Sequence, residues 1–385
     1  MQKPANASLR TPPLVFFPEA PIELQNLDIA ESVVADIILR RLYMEGQSNL
    51  QSLRQSLHLS FPLVNALFQK IRQQQLLEVT GMEGSNYSFT LTTAGRDFTE
   101  KRLKICQYSG PAPVSLETYR SAVRAQVPKV RLNRHLLRKA LSDLVLSNRF
   151  LDQLGPALVS QTSLFLYGPT GNGKTSIAVR LPRIYEDLVF IPYAIESDAQ
   201  IILVYDPAVH QKAEGSVIGY DPRWVLCRRP CITVGGELDL SMLELRRDEQ
   251  SGTYAAPPQM KANNGIFIID DFGRQIASPQ VLLNRWILPL DQRVDYLTLS
   301  YGVKFQIPFD LMVVFATNLD PGELSDEAFL RRIRNKVYVE PIDDSSFDEI
   351  VRRLLAERKL SCDTETVEYL RSLCRSHSST NELRA

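Results

Sequence analysis

The segment GPTGNGKTS, which begins at Gly168, constrains the fold of this chain more than any other feature of its sequence. The apolar run SLFLY before it predicts a short buried strand, and SIAVRL at its end has helical spacing. In this context the pattern GxxxxGK followed by Ser or Thr predicts a phosphate-binding loop, whose glycines let backbone N–H groups face the phosphates. The helix start adds partial positive charge. The residues expected to contact a nucleotide are Gly168, Pro169, Thr170, Gly171, Asn172, Gly173, Lys174, Thr175 and Ser176.

Two side chains of this loop have distinct expected roles. Lys174 should reach the outer phosphates of ATP, and the hydroxyl of Thr175 should be a ligand of Mg²⁺. The alternative is a chance glycine-rich turn. It is disfavoured because the pattern is long and lies between the elements that the motif requires.

A second element of the expected site is the segment GIFIIDDFG, which contains an apolar run at Ile266–Ile269. Such a run is typical of a strand buried on both faces of a parallel sheet. Asp270 falls at the carboxyl end of this strand, where ligands of open α/β sheets bind. We expect Asp270 to orient Mg²⁺ through water and Asp271 to position the attacking water.

A third apolar strand, predicted from Leu311 to Ala316, ends at Thr317 and Asn318. An amide at this point can hold the attacking water and contact the terminal phosphate, as phosphoryl transfer requires. The alternative is that Asn318 closes a strand-end turn with the Asp-Pro that follows. The order of the three elements along the chain favours the role at the nucleotide.

The composition argues against several classes of protein. Length alone, at 385 residues, predicts two or three domains, and 44 Lys and Arg balance 44 Asp and Glu. The formal net charge is therefore zero, which gives no indication that a polyanion or an acidic membrane is the main partner. The five cysteines are scattered, unlike a secreted disulfide framework, and no apolar run approaches the roughly 20 residues that span a bilayer. We expect a cytoplasmic protein without membrane insertion.

The N-terminal part of the chain predicts a small helical domain. Residues 1–26 contain five prolines and little periodicity, which predicts an extended arm that can dock onto a domain. In residues 27–106, three stretches with helical spacing precede two strand-like runs, an order that resembles a winged helix. Residues 107–128 are interpreted as a linker that begins with the Gly/Pro/Ser-rich QYSGPAPVS. We expect the winged domain to move relative to the rest.

A winged helix suggests DNA binding, here through Asn65, Gln69, Lys70 and Arg72 of its third helix. However, residues 1–105 carry 11 Lys and Arg against 10 Asp and Glu. This is a weak electrostatic footprint for a module that depends on phosphate contacts. Docking of a protein client or adaptor is therefore favoured, and nucleic acid stays open as the alternative partner.

The order of the three nucleotide-site elements resembles the AAA+ superfamily of P-loop NTPases. The loop at Gly168 corresponds to Walker A, Asp270 with Asp271 to Walker B, and Asn318 to sensor 1. The resemblance implies an α/β core, with a parallel sheet between helices, over residues 129–340. It also implies a small helical lid, residues 341–385, and a homo-oligomeric ring, usually a hexamer, with ATP at each interface.

The same resemblance implies two kinds of arginine. The segment DEAFLRRIRNKVYV lies where such proteins carry an arginine finger, with Arg332 as first candidate and Arg331 and Arg334 in reserve. A guanidinium delivered across a subunit interface can stabilise charge on the transferring phosphoryl group. Ion pairs with surface carboxylates are the alternative. The second sensor arginine of the lid would be Arg384. The chain ends one residue later, so we expect an incomplete lid or a trimmed fragment.

Two further features qualify the resemblance. Tyr296–Pro308 alternates around Gly302 and predicts a hairpin like that of the AAA+ branch with MoxR-like chaperones. With its winged helix first, the chain resembles bacterial predicted ATPases with chaperone activity, some of them associated with pilus assembly. Asp271 replaces the usual catalytic Glu and is one methylene shorter, so the water must lie closer or hydrolysis is slow.

Two other segments allow a functional and a structural interpretation. A metal site at Cys227 and Cys231 would need two more ligands, so a structural role is favoured. The stretch from Asp206 to Asn264 is interpreted as a long functional loop. Its aromatic residues would either grip a polypeptide in a central pore or pack in the ordinary way; they are Tyr220, Trp224 and Tyr254.

The sequence thus favours an oligomeric AAA+ ATPase that binds and hydrolyses Mg-ATP and remodels a protein partner, as a chaperone-like motor does. One alternative is a DNA-directed AAA+ ATPase that uses the winged helix. A second alternative, motivated by Asp271, is a nucleotide-gated scaffold with little turnover.

Overall fold

The computed structural model describes residues 14–84, 86–214, 217–324, 331–376 and 383. Its α-helices are α1 (Glu31–Glu45), α2 (Leu50–Leu57), α3 (Phe61–Gln73), α4 (Thr93–Leu103), α5 (Leu116–Ala125), α6 (Arg134–Ala140), α7 (Asn148–Ser160), α8 (Lys174–Ala178), α9 (Pro258–Lys261), α10 (Pro279–Gln292), α11 (Pro321–Leu324), α12 (Asp344–Glu357) and α13 (Thr364–Ser376). Short 3-10 helices are formed by Leu24–Asn26, Leu181–Ile184 and Ser241–Leu243.

The strands fall into one parallel sheet and several smaller sheets. They are β1 (Gln47–Asn49), β2 (Leu77–Glu83), β3 (Asn86–Leu91), β4 (Val114–Ser115), β5 (Leu164–Tyr167), β6 (Leu188–Pro192), β7 (Ala194–Ser197), β8 (Gln200–Leu203), β9 (Trp224–Arg228), β10 (Cys231–Val234), β11 (Arg246–Arg247), β12 (Tyr254–Ala255), β13 (Ile266–Ile269), β14 (Val294–Thr298), β15 (Lys304–Pro308), β16 (Met312–Thr317) and β17 (Asn335–Tyr338).

The central sheet has five parallel strands in the order β10-β13-β16-β5-β17. Every residue of β13 and β16 is buried, as expected for strands covered on both faces. Phe267 and Ile269 face a core that includes Trp286 of α10, whereas Ile266 and Ile268 face a second core. Helix α7 contributes to that second core. The mixed α/β fold, with its parallel sheet between helices, fits a P-loop AAA+ core.

A second β-rich region lies where the sequence suggested a long loop, and that prediction is wrong. The segment contains β9 to β12, of which β11 and β12 join β8, β7 and β4 in a five-stranded sheet. Trp224 and Tyr254 are 2% and 1% exposed in the core of this region, so their packing explains them. The pattern was missed because these strands are short and pair with strands distant in sequence.

The predicted hairpin is confirmed. Strands β14 and β15 pair antiparallel, and Gly302 in the connection has a φ of +90°. The inward side chains of the hairpin, Leu297, Leu299, Phe305 and Ile307, are buried in the same core as Trp224. The hairpin is therefore fastened along its length to the second β-rich region.

The two cysteines of CRRPC lie in strands β9 and β10. Cys227 is fully buried on β9, and burial raises the pKa of its thiol to about 12. Within the described parts of the chain, no three His, Cys, Asp or Glu side chains form a group that could hold a metal ion. The burial of Cys227 favours the structural interpretation of this residue.

The N-terminal module, residues 27–103, contains the helices and strands that the sequence pattern predicted. Helices α1, α2 and α3 pack around a shared apolar core, and β2 and β3 form an antiparallel hairpin. A short strand that was not predicted, β1, pairs with β3 and completes a three-stranded sheet. Because α3 buries Leu63, Val64, Leu67, Phe68 and Ile71, its opposite face is the one that remains for a partner.

The described part of the N-terminal arm docks on the second β-rich region. Leu14 forms a bridge with Leu188 of β6, and the ring of Phe16 packs edge-on against Trp224 at 5.9 Å between centroids. The carbonyl of Pro18 accepts a hydrogen bond from the Asp221 N–H at 2.8 Å. The arm is thus held by apolar and backbone contacts.

The expected mobile linker is instead packed, and this prediction is corrected. Residues 107–128 contain β4, which pairs with β7, and the ten-residue helix α5. The N–H of Ala112 donates to the carbonyl of Leu57 at 2.9 Å, and Ala112 is buried. Gly and Pro here form close packing contacts rather than a flexible connection.

A buried ion cluster joins the N-terminal module to the rest of the chain. The guanidinium of Arg223, a residue only 3% exposed, donates to Asp28 at 2.7 Å, to Asp221 at 2.8 Å and to the Pro113 carbonyl at 3.1 Å. Burial opposes ionisation of Asp28, but Arg223 and the Ser115 N–H outweigh it and lower the pKa of this carboxyl. The cluster therefore connects the module, the segment after it and the second β-rich region.

The C-terminal helices α12 and α13 lie in the part of the chain, residues 341–385, for which the resemblance implies a helical lid. Arg371 of α13 pairs with Asp348 of α12 and holds the two together. Among the described helices, none is long and apolar enough to cross a membrane.

We expect Arg223→Ala to lower the free energy of unfolding by about 3–5 kcal/mol, because it leaves buried carboxylates without their counter-charge. Urea denaturation followed by circular dichroism measures the change. The control is Arg134→Ala, whose ion pair with Asp152 is about half exposed and should contribute about 0–1 kcal/mol. Equal losses in the two variants would contradict the role given to the cluster.

Candidate functional site

The carboxyl edge of the central sheet brings the three predicted elements together. Strands β5, β16 and β13 are neighbours and parallel, so the segments that follow them leave the sheet at one edge. The hydroxyl of Thr175 donates to Asp270 Oδ1 at 2.8 Å, and Asn318 Nδ2 donates to Thr170 Oγ1 at 3.2 Å. Loop, carboxylate and amide thus form one polar cluster.

The glycines of the loop adopt conformations that other residues disfavour. Gly168, Gly171 and Gly173 have φ values of +143°, +85° and +77°. A Cβ at Gly168 would lie 2.5 Å from the carbonyl oxygen of Val339, which follows β17. Glycine is required there both for the backbone angle and for the close approach of the neighbouring chain segment.

The helix after the loop is shorter than predicted. Helix α8 has five residues, Lys174–Ala178, and the chain then forms a 3-10 turn at Leu181–Ile184. Pro182 contributes to the difference, because it has no N–H to donate to the carbonyl of Ala178 four residues earlier and its ring crowds that carbonyl. The dipole of so short a helix is small, so the positive charge at the loop comes mainly from the Lys174 ammonium group and the backbone N–H groups.

Lys174 lies inside the curl of the loop. Its Nζ donates to the carbonyls of Gly168 at 2.9 Å and Pro169 at 2.8 Å. Burial lowers the pKa of Lys174 more than the Asp271 and Asp270 carboxylates raise it, and the net direction is downward. Both carboxylates therefore act on this ammonium group.

Asp270 and Asp271 form a tight turn after β13. The N–H of Asp271 donates to Asp270 Oδ1 at 3.1 Å, and Asp271 has a φ of +47°, in the left-handed region. The residue is exposed, so its carboxylate is accessible to solvent. Gln275, which the sequence analysis did not single out, lies against this turn and donates to the Asp270 carbonyl at 2.9 Å.

The residues present suit Mg²⁺ and a polyphosphate. The Thr175 hydroxyl and the Asp270 carboxylate are hard oxygen donors, which Mg²⁺ prefers, and Mg²⁺ usually combines one or two carboxylates with substrate phosphates. The amide oxygens of Asn318 and Asn172 are buried without a hydrogen-bond partner in the described structure. Asn318 thus offers an acceptor that a water molecule could satisfy.

A cavity of about 410 Å³ adjoins the loop, and the sequence analysis missed it. This volume is within the range of small-molecule sites. It lies between the loop, the segment before α7 and the first lid helix, α12. Its apolar lining residues include Leu144, Val145, Leu146, Ile177, Ile350 and Leu354. The available signal was the apolar face of α12 together with the run before α7, but neither indicates that the two meet.

The candidate finger arginines lie at the opposite edge of the central sheet. Arg331 and Arg332 precede β17, whose first residue, Asn335, pairs with Leu164 at the start of β5. Four residues of β5 separate that edge from the loop, which is about 13 Å at ~3.3 Å per residue. The arginines are therefore not brought to the loop of their own chain.

The surroundings of these arginines form a second cavity, of about 620 Å³. Arg332 Nε donates to Asp291 Oδ2 at 2.7 Å, and Arg331, Arg334 and Arg293 also line the cavity. The first residues of the segment DEAFLRRIRNKVYV, up to residue 330, lie outside the described residues. Arg384, expected as a second sensor, also lies outside them.

The comparisons with known proteins give weak likenesses. No protein-family model matches the sequence, and no curated protein matches it. The chain is similar to a solved complex between the BchI and BchD subunits of magnesium chelatase, with 15% identity, 57% of this chain and 64% of that chain covered, and a TM-score of 0.34. It is also similar to a mutant RuvB of Thermotoga maritima, with 13% identity, 63% and 61% covered, and a TM-score of 0.36. The chain spans less than two thirds of either solved chain.

The chain's own geometry defines its fold class. A parallel sheet in the order β10-β13-β16-β5-β17, with a glycine loop after β5 and an aspartate pair after β13, is a P-loop α/β core. Two helices, α12 and α13, follow β17, the last strand of this sheet along the chain.

We expect Gly168→Ala to weaken Mg-ATP binding by about 5- to 150-fold, because overpacking of this kind costs about 1–3 kcal/mol. A fluorescent ATP analogue measures the affinity. Gly302→Ala is a matched control, since it also places Ala at positive φ but meets no atom within 4 Å. Unchanged affinity in Gly168→Ala would show that the contact with Val339 does not shape the loop.

Proposed function

We propose that this protein is an AAA+ ATPase that binds and hydrolyses Mg-ATP at the carboxyl edge of its central sheet. The observation that carries the proposal is the polar cluster in which Thr175 contacts Asp270 and Asn318 contacts Thr170. These contacts join the loop to the ends of the two strands where phosphoryl-transfer chemistry needs a carboxylate and an amide. ATP is the substrate.

Each polar side chain has a proposed task. The loop N–H groups and Lys174 bind the phosphates, while Thr175 and Asp270 would hold Mg²⁺. Bound there, Mg²⁺ would neutralise charge on the phosphate oxygens. Asp271 accepts a proton from the attacking water, and Asn318 orients that water through its buried amide oxygen.

The apolar cavity beside the loop is the proposed place of the nucleoside. It adjoins Asn172 and Gly173 of the loop and reaches Ile350 and Leu354 of the first lid helix. Burial of a flat base against these side chains would bring the lid toward the core. Binding of ATP is thereby connected to the position of α12.

The proposed active site is completed by a second copy of the chain. Arg332 and Arg331 lie about 13 Å of strand away from their own loop, so they can serve a loop only in another subunit. A guanidinium supplied in this way stabilises charge on the transferring phosphoryl group. We infer a homo-oligomeric ring, and a hexamer is the size that the resemblance implies.

We further infer that the work of the ring is remodelling of a protein partner. On α3 the side chain of Lys70, a candidate for DNA contact, pairs with Glu31 at 2.7 Å, which reduces the positive charge that the helix offers. This observation favours a protein client over DNA. The resemblance to MoxR-like chaperone ATPases supports the same inference.

We expect phosphate release from ATP by the full-length protein to fall to background in Lys174→Ala, which loses the phosphate ligand, and by about 10²-fold or more in Asp271→Asn, which loses the base. A coupled phosphate assay measures both rates. Asp271→Asn should bind Mg-ATP as tightly as the wild type, which separates loss of chemistry from loss of binding. Background release by the wild-type ring would instead support a nucleotide-gated scaffold.

Mixing of two inactive variants tests the shared site. Lys174→Ala subunits keep Arg332, and Arg332→Ala subunits keep an intact loop, so mixed rings should contain some complete interfaces and recover hydrolysis. The measurement is phosphate release against the mixing ratio, with Arg134→Ala subunits as an exposed-arginine control. No recovery, with mixed assembly verified by cross-linking, would contradict the assignment of Arg332.

A further inference from the structure

We propose that Gln275 is a positioning residue that holds the Asp271 turn in the conformation that aims its carboxylate at the attacking water. The inference rests on the proposed function of Asp271 as the base of ATP hydrolysis. Gln275 does not touch the substrate in this proposal. It acts on the backbone that carries Asp271.

The side chain of Gln275 is 9% exposed and both ends of its amide are used. Nε2 donates to the carbonyl of Asp270 at 2.9 Å and to that of Asp271 at 3.2 Å, and Oε1 accepts from the Gly273 N–H at 2.8 Å. A reversed amide would place its oxygen against two carbonyl oxygens. The orientation of Gln275 is therefore determined by the turn itself.

The turn that Gln275 holds is conformationally strained. Asp271 has a φ of +47°, and left-handed backbone at a residue with a side chain costs of order 1 kcal/mol. Such a conformation persists only where the surroundings over-determine it. Besides Gln275, the Arg274 N–H contacts the Asp271 carbonyl, at 3.0 Å. Gln275 Nε2 and the Arg274 N–H thus both donate to the carbonyl of Asp271. By holding this carbonyl they fix the backbone conformation of Asp271, and with it the direction of its side chain.

The far side of the turn is fixed to the strand that carries Asn318. The N–H of Phe272 donates to the Ala316 carbonyl at 2.7 Å, and Thr317 Oγ1 donates to the Phe272 carbonyl at 2.6 Å. Phe272 and Thr317 are fully buried. Phe272 is therefore anchored by burial and hydrogen bonds. Gln275 then fixes the backbone conformation between Asp270 and Phe272.

The backbone that carries Gln275 is itself anchored. The N–H of the next residue, Ile276, donates to the carbonyl of Gly236 at 3.1 Å, in the loop that follows β10. The glutamine side chain therefore extends from an anchored backbone toward the turn. It links the two loops that flank the carboxylate.

The test uses Gln275→Met, which keeps the length of the side chain and removes both ends of the amide. The matched control is Gln126→Met. Gln126 is 2% exposed and also uses both amide ends, on the backbone of Phe190, but it lies at the end of α5, away from the turn. Both variants lose buried hydrogen bonds, so both should lose some thermal stability.

We expect only Gln275→Met to lower kcat, by about 10²-fold, because a misplacement of about 1 Å at a reacting group costs that much. Its affinity for a fluorescent ATP analogue with Mg²⁺ should stay within about twofold of wild type. In the Asp271→Asn background, Gln275→Met should cause no further loss of hydrolysis, since the two residues act as one unit. Amide hydrogen exchange at Gly273 should become faster in Gln275→Met without nucleotide.

Three results would overturn the proposal, and they distinguish failure of the role of Gln275 from failure of the proposed function. If Gln275→Met lowers nucleotide affinity and kcat together, or adds its full effect to that of Asp271→Asn, Gln275 is a structural support only and the proposed ATPase function stands. If wild-type hydrolysis is insensitive to Lys174→Ala and Asp271→Asn, the proposed function itself fails, and the role of Gln275 fails with it.

Discussion

The pairing of β5 with β16 on one side and β17 on the other is the constraint on which the site depends. Because all three strands are parallel, the glycine loop, Asn318 and Val339 emerge side by side. The approach of the Val339 carbonyl to Gly168 then leaves room for glycine alone. The same pairing places the arginines before β17 at the far edge. One set of strand contacts therefore separates the end of the chain that carries the glycine loop from the end that carries Arg331 and Arg332.

Local sequence patterns were sufficient to predict the elements that depend on few distant contacts. The strand Ile266–Ile269 and the hairpin around Gly302 follow from runs and alternations of only a few residues. The second β-rich region could not be predicted in this way, because β12 pairs with β8 across about fifty intervening residues. The packed state of Ala112 likewise depends on Leu57, and composition alone suggested mobility.

The candidate site likewise contains residues that local sequence patterns predicted and features that depend on distant contacts. Lys174, Thr175, Asp270 and Asn318 were predicted because the proposed chemistry requires these residue types at fixed places after strands, and the structure places the loop beside Asp270 and Asn318. Gln275 was not found, because a glutamine has a role there only when a turn of this shape presents carbonyls and an N–H to it. The apolar cavity depends on the meeting of a lid helix with a segment some two hundred residues earlier. No local pattern records such a meeting.

The buried cluster around Arg223 changes how the N-terminal module can meet another molecule. A module on a flexible tether explores a volume around its anchor and gains affinity from a high effective concentration. This module has no such freedom, because charge pairs, strand β4 and the arm hold it against the body of the subunit. In a ring, its outward face would repeat at fixed spacing and orientation. A partner with several matching contact points would then be bound by geometric fit along the rim, and a partner with one would receive no such advantage.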